Sequence, residues 1–443
     1  MPNNTILTQI DQQPMTTYQW FVIGICIFLN IIDGFDVMVM AFTAPSVSSE
    51  WLLSGSQVGL LLSAGLFGMA GGSIFLAPLA DRIGRRKLIL TCLAIAAVSM
   101  LASAAASSQA MLAIFRFITG LGVGGILASS NVVASEYANL RWRSLAVSLM
   151  STGYGIGATL GGVLSLTLIG EFGWRSVFLV GGMTTVVMLV LAIWLLPESL
   201  DYLFAKRPSN ALLTTNKILQ KMKMSTIAQL PDVHVVATQQ GQTAISKLFQ
   251  GAKARQTLYL WFAFFLVMFG FYFVMSWTPK ILIAMGMSPE QGVSAGILIS
   301  IGGIFGAAII GLLASKIRIF YALSIFLGLT ALCVFLFVSV SAQVSTAFIV
   351  GIFLGLLING CVAGLYSISP TIYAADVRNR GVGYAIGFGR IGAILSPIVA
   401  GIFLDQQVAA ATIYAYYGIV FIFAIGLILL LSREVNREQK QPV

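Results

Sequence analysis

Charge is what this chain has least of. Only 9% of its 443 residues are Asp, Glu, Lys or Arg, while 58% are hydrophobic. A soluble domain carries roughly 25% charged residues. A water-soluble fold could not cover so much apolar surface, so the class is integral membrane protein. Histidine is almost missing: His234 stands alone in a polar loop. The four cysteines, Cys26, Cys92, Cys333 and Cys361, are scattered through apolar runs. Their spacing suits neither a metal site nor a disulfide framework, so no metal is expected. The first eighteen residues contain no Lys or Arg, which argues against a cleavable signal peptide with a basic n-region. No phosphate-binding Gly-rich loop and no nucleophile–base pair stands out, so neither an enzyme nor a cofactor is expected.

What is present is apolar length. Twelve runs are long enough to cross a bilayer as helices: 19–42, 57–80, 88–106, 110–134, 144–168, 175–196, 256–283, 291–314, 320–340, 346–372, 382–404 and 409–432. The expected fold class is therefore an all-α membrane protein with twelve transmembrane helices. Basic residues collect in alternate loops. Arg82, Arg85, Arg86 and Lys87 follow the second run, Arg141 and Arg143 the fourth, and eight more lie between the sixth and seventh. Lys316, Arg318, Arg378, Arg380, Arg433, Arg437 and Lys440 continue the pattern, and the opposite side holds only Arg175 and Lys280. The positive-inside rule then places both termini in the cytoplasm. Topology thus accounts for the net charge of +10, and a nucleic-acid partner is not needed to explain it. The expected divisions are a cytoplasmic tail (1–18), a six-helix bundle (19–196), a cytoplasmic linker (197–255), a second six-helix bundle (256–432) and a C-terminal tail (433–443). Weak echoes between the halves, such as "EYANLRWRS" and "YAADVRNRG", suggest parallel repeats about a pseudo-twofold axis with a site between them.

A few charges remain inside the runs. The first contains "IIDGFDVMVM", with Asp33 and Asp36 three residues apart; Arg116 lies in the fourth and Arg390 in the eleventh. Charged residues at membrane depth face a bundle interior or a watery cavity and mark ion or proton paths. At 1.5 Å per residue, Asp36 and Arg116 both lie about 9 Å below the outer boundary. Asp33 is one turn deeper on nearly the same face. Two acids and one base leave a carboxylate over for a proton; a purely structural buried pair is the alternative. Arg390 lies near mid-membrane, where a guanidinium keeps its charge and needs an anion. Runs seven to twelve hold no acid away from their ends. That favours a substrate carboxylate gripped bidentately over backbone carbonyls.

Polar and aromatic groups at similar depth are candidate contacts. The seventh run, "LYLWFAFFLVMFGFYFVMSW", places Phe269, Tyr272 and Phe273 near mid-membrane, where they can stack a ring or simply fill a core. Asn131, Tyr154, Asn359 and Tyr366 can hydrogen-bond a ring substituent or a neighbouring helix.

Certain motifs are more specific. "LADRIGRRK" after the second run resembles the loop signature of the major facilitator superfamily, although Ala77 stands where that motif usually begins with Gly. With "DGFD", "FRFITGLGVGG", "SEYANLRWR" and "GFGRIGAILSP", the whole chain resembles the aromatic acid:proton symporters of that superfamily. The resemblance implies two six-helix bundles and adjoining first and fourth helices, which would let Asp36 pair with Arg116. It implies proton coupling by Asp33, Asp36 and Arg116. The implied substrate site holds Arg390, Asn131, Tyr154, Phe269, Tyr272, Phe273, Asn359 and Tyr366. A cytoplasmic latch would involve Asp81, Arg82, Arg85, Arg86, Glu136, Arg141 and Arg143. The expected protein imports a small aromatic carboxylate with protons across a bacterial inner membrane, as a monomer in the lipid bilayer. An efflux antiporter, an importer of another organic acid and a non-transporting receptor are the alternatives. In the fifth run "GATLGG" has Ala158 in place of the proline common in drug antiporters, which weighs against efflux.

Overall fold

The computed structural model describes residues 5–230, 248–250, 252–340, 343–373 and 378–440. His234 lies outside them, as does much of the second "YAADVRNRG" element. Among the described residues, twelve helices are long and apolar enough to cross a membrane. They are α2 (Thr17–Trp51), α3 (Gly55–Ile83), α4 (Arg85–Ala104), α5 (Gln109–Tyr137), α6 (Arg143–Phe172), α7 (Trp174–Leu195), α10 (Ala252–Ala284), α11 (Pro289–Ala314), α12 (Ile319–Val340), α13 (Val344–Ile372), α14 (Arg378–Asp405) and α15 (Ala410–Lys440). Helices are the expected outcome, since in hydrocarbon every backbone N–H must be satisfied within its own segment.

Local signals set the helix ends. Ser108 caps α5 by accepting from the Met111 N–H, and Ser288 with Gln291 forms a capping box on α11. Near its end α3 passes through a π-turn at Gly72–Leu76 and a 3₁₀ turn at Ala77–Leu79. Pro78 has no N–H to return to the preceding turn, which accounts for the irregularity.

Three segments expected as tails or linker contain helix. α1 (Thr5–Gln12) buries Ile6 and Ile10. The linker folds α8 (Leu200–Lys206) and α9 (Ala211–Lys221), and α15 runs on through the start of the C-terminal tail to Lys440. Ile6 and Ile10 are too few to announce an amphipathic helix, and α8 is only seven residues long.

Contacts divide the chain into two compact units. One comprises Met1–Asp36, Phe67–Gly157 and Arg175–Thr238; the other comprises Val37–Leu66, Ala158–Trp174 and Gln239–Val443. The first unit is built around Cys26, Leu29, Cys92, Val133, Tyr137 and Leu203. In the second, α10 packs on α14 and α15, α11 on α13, and α12 on α15. Aromatic stacking and polar ties reinforce it: Thr278 and Tyr414 share a hydrogen bond of 2.7 Å, and the Tyr417 hydroxyl donates to the Ser396 carbonyl at 2.7 Å.

Candidate functional site

In the first unit, α5 carries Arg116 to α2. One guanidinium nitrogen donates to Asp36 Oδ1 at 2.8 Å, and the other donates to Oδ2 at 3.1 Å and to the Asp36 carbonyl at 2.7 Å. Arg116 is 2% exposed and Asp36 4%. Met100 Sδ lies 3.3 Å from the same guanidinium, and the Phe178 ring is 5.8 Å away. The fork geometry is the strong, charge-assisted kind. Removing one partner of a buried pair typically costs about 3–5 kcal/mol, because the other charge is stranded. Asp33 is buried one turn earlier, at 4% exposure.

Between the two acids sits Gly34, and there is a steric reason for it. A Cβ at Gly34 would overlap the Tyr154 carbonyl of α6, and one at Gly157 would overlap the Ile31 carbonyl of α2. The two helices therefore cross backbone to backbone beside the acids. Tyr154 enters this region through its backbone. Asn131 donates to the Leu127 carbonyl of its own helix at 2.9 Å.

In the second unit Arg390 lines a pocket of about 60 Å³ with Tyr272, Tyr366, Met268, Ile386 and Leu66. Among the described residues no carboxylate pairs with it. Whole-ligand sites run to about 300–1,000 Å³, so this pocket suits the end of a ligand. Tyr366 is steadied by Phe264, edge to face at 5.7 Å. The other ring candidates are placed differently. Phe273 is fully buried, stacked on Tyr417 at 3.8 Å and edge-on to Tyr414. Phe269 stacks on Tyr417 at 4.9 Å. Both belong to the α10–α15 packing through Tyr417, and neither lines the Arg390 pocket. Asn359 donates to the Gly355 carbonyl of its own helix and fills the space beside Gly303 of α11.

The motif after α3 forms a third cluster. Asp81 pairs with Arg85 at 2.6 Å, with Asp81 largely exposed. Arg86 donates from its side chain to the carbonyls of Leu196 and Ile193 at the end of α7. Glu198 accepts from the Arg86 N–H at 3.0 Å and from the Ser199 N–H at 3.0 Å. Gly84 makes this possible: its φ is 101°, and a Cβ there would meet the Glu198 carboxylate. Glu136 accepts from Ser199 Oγ at 2.9 Å, and Tyr202 reaches the Arg82 carbonyl. Arg143 pairs with Asp11 of α1 at 2.6 Å, and Arg141 lies over the Trp142 ring. Glu198, Ser199 and Asp11 were not expected. Each sits in a stretch that reads as linker or tail, and only the "PES" turn after α7 hints at an acid facing a helix N-terminus.

The sequence matches the Major Facilitator Superfamily over residues 26–377. It is 32% identical to the gallate transporter of Pseudomonas putida, over 93% of this chain and 91% of that one. It is also 32% identical to the 4-hydroxybenzoate transporter PcaK of Pseudomonas aeruginosa, over 87% and 86% of the two chains. The benzoate transport protein of Acinetobacter baylyi is 29% identical over 94% and 91%. Among solved structures, a bacterial homologue of the human lysosomal transporter Spinster, inward-facing and unoccupied, superposes with a TM-score of 0.73 at 17% identity, covering 97% of this chain and all of that one. The xylose transporter XylE of Escherichia coli gives 0.71 at 15%, over 94% and 98%. Twelve spanning helices, the loop motif with its Gly84 turn, and these likenesses agree: the chain is a transporter and not an enzyme, a member of the major facilitator superfamily beside its aromatic acid carriers.

Proposed function

We propose that this protein imports a small aromatic carboxylate together with protons by alternating access, across a bacterial inner membrane, with both termini cytoplasmic and as a monomer. The chain divides functionally into six-helix halves, 19–196 and 256–432, joined by the linker. One observation carries the reading: Arg390 lines an aromatic pocket, and no carboxylate pairs with it among the described residues. A partly buried cation at this depth is completed by an anion from the ligand, and Tyr272 and Tyr366 supply ring faces and hydroxyls beside it. The aromatic acids named for the relatives have the matching chemistry.

Asp36 and Arg116 are the coupling pair, with Asp33 beneath. A proton taken up by Asp36 weakens the fork to Arg116 and biases the first unit towards its other arrangement. Uptake of labelled benzoate and 4-hydroxybenzoate into cells, with and without a protonophore, tests the reading. Uptake that stops with the protonophore supports it. Unchanged uptake removes the proton coupling, and no uptake of any aromatic acid removes the substrate class.

A further inference from the structure

A larger cavity, of about 350 Å³, lies in the first unit where α7 ends and the linker helices begin. It serves neither the Asp36–Arg116 pair nor the Arg390 pocket. Arg86, Lys87, Lys217 and Lys221 line it, with Glu198 as the acid. The charges do not cancel there. Glu198 is occupied by two backbone N–H groups, and the Arg86 guanidinium is occupied by the carbonyls of Leu196 and Ile193. Lys221 is held with its Nζ 5.4 Å from the Tyr18 ring centre. Lys87 and Lys217 have no carboxylate partner among the described residues. Three lysines thus line a space larger than an inorganic phosphate requires.

The position of the cavity points to the kind of anion. The spanning helix α7 ends at Leu195, so the cavity sits at headgroup depth. Trp194, on the last turn, also lines it and is 80% exposed, as a belt residue at a membrane surface is. Above it on α7, Val187, Val190 and Leu191 face outward and are 46–59% exposed. Helix α9 buries Ala211, Thr215, Ile218 and Leu219 while Lys217, Lys221 and Leu213 stay exposed. That is the pattern of a helix lying along an interface.

We propose that this cavity binds the phosphodiester headgroup of an anionic phospholipid. Lys87, Lys217 and Lys221 meet the phosphate, and the acyl chains run along the outer face of α7 beside Trp194. The lipid thereby clasps the linker helices to the bundle end.

The test uses the full chain in detergent and measures binding of short-chain phosphatidylglycerol by its effect on thermal unfolding. Phosphatidylcholine, glycerol 3-phosphate and inorganic phosphate are the comparison probes. Phosphatidylglycerol should bind at least about tenfold more tightly than phosphatidylcholine. At about 1 kcal/mol per lysine near an anionic surface, Lys217→Gln with Lys221→Gln should weaken it about thirtyfold. The charge-matched pair Lys206→Gln with Lys223→Gln, outside the cavity, should leave affinity within about twofold. Trp194→Ser should weaken the lipid but not glycerol 3-phosphate. Each variant's unfolding midpoint without ligand checks that it is folded, and Lys217→Gln alone serves if the double variant is not. Equal binding of the two lipids, or equal loss in both lysine pairs, overturns the proposal. Binding of glycerol 3-phosphate or inorganic phosphate as tight as that of the lipid makes this a soluble-anion site and overturns it too.

Discussion

Asp36 engages Arg116 three times over, with both carboxylate oxygens and its own backbone carbonyl. The guanidinium is thereby tied to the helix as well as to the acid. Protonating or neutralising Asp36 removes the charge-assisted part and leaves the backbone contact. We therefore expect Asp36→Asn to keep Arg116 near its place and fold, while separating binding from coupling. Accumulation driven by a pH gradient should be lost, and counterflow of internal for external substrate should survive at least partly. If the variant still concentrates substrate on a pH gradient, Asp36 is not the coupling site and Asp33 is the next to test.

The charge moved distinguishes the stoichiometries. A monoanion travelling with one proton is electroneutral and draws only on the pH difference. With two protons one net charge moves, and each 100 mV adds about 2.3 kcal/mol. Wild-type uptake in proteoliposomes should respond to a potassium-diffusion potential only in the second case.

Gly34 makes a sharper structural prediction. Its missing Cβ lets the Tyr154 carbonyl approach, whereas nothing lies near the Cβ position of Gly24 on the same helix. Overpacking a tight site costs about 1–3 kcal/mol. Gly34→Ala should therefore lower the thermal midpoint by several degrees and reduce folded yield, while Gly24→Ala leaves both unchanged. Equal behaviour of the two in thermal unfolding would mean that the crossing tolerates a methyl group.

The sequence carries some of these features plainly and leaves others unmarked, for physical reasons. All twelve spans were legible because hydrocarbon imposes length and apolarity on each. Asp36 and Arg116 could be matched in depth because a helix has a fixed rise. Which face Phe269 and Phe273 present could not be read, since α10 is apolar all round and periodicity gives no direction. Phe273 stacks on Tyr417, while Tyr272, one residue away, lines the Arg390 pocket. The short helices α1, α8 and α9 are not legible in the sequence, because their hydrophobic faces make sense only against the residues they cover.

At the basic-loop end, the Asp81–Arg85 pair spans the Gly84 turn between α3 and α4, and Asp81 is 71% exposed. A pair with its acid this open to solvent is worth only about 0.2–1 kcal/mol, so it adds little to overall stability. Asp81→Asn should accordingly leave expression and thermal midpoint close to wild type. If the latch role holds, turnover should still fall several-fold, because the charge is needed when the loop changes partners. Wild-type initial rates in Asp81→Asn proteoliposomes would remove Asp81 from the gate.

The opposite end has its own tie. Asp405, at the end of α14, accepts from the N–H groups of Gly55 and Ser56, the latter at 2.8 Å. Those donors have no partner within α3, and the helix dipole favours an acid there. Behind the tie, Ser63 donates to the Ile394 carbonyl at 2.7 Å and Val58 is 1% exposed. Alternating access requires this end to open. Asp405→Ala should raise the rate at which a charged maleimide labels a Val58→Cys reporter in a cysteine-free background by several-fold. An unchanged labelling rate would mean that the tie does not limit opening.

Arg390 offers the most decisive experiment on the substrate. Its side chain lines the pocket with Tyr272, Tyr366 and Met268, with Ile386 one turn earlier on the same helix. A planar fork meets both oxygens of a carboxylate, whereas an ammonium is a point charge on a flexible stem. Arg390→Ala should therefore abolish detectable binding of benzoate, and Arg390→Lys should recover only a small fraction of it. Losing a charge-assisted pair of hydrogen bonds to a buried anion costs roughly 2–5 kcal/mol, or about 30- to 5,000-fold in affinity. The ligand can be altered instead of the protein. Benzamide keeps the ring and the shape but lacks the charge, so it should compete with labelled benzoate at least about thirtyfold more weakly on wild type. On Arg390→Ala that preference should vanish, because nothing is left to read the charge. Tyr272→Phe and Tyr366→Phe keep the ring faces and should change affinity much less than Arg390→Ala. Equal competition by benzoate and benzamide on wild type would show that Arg390 does not anchor a carboxylate, and the anion it faces would then have to be sought among the protein's own groups.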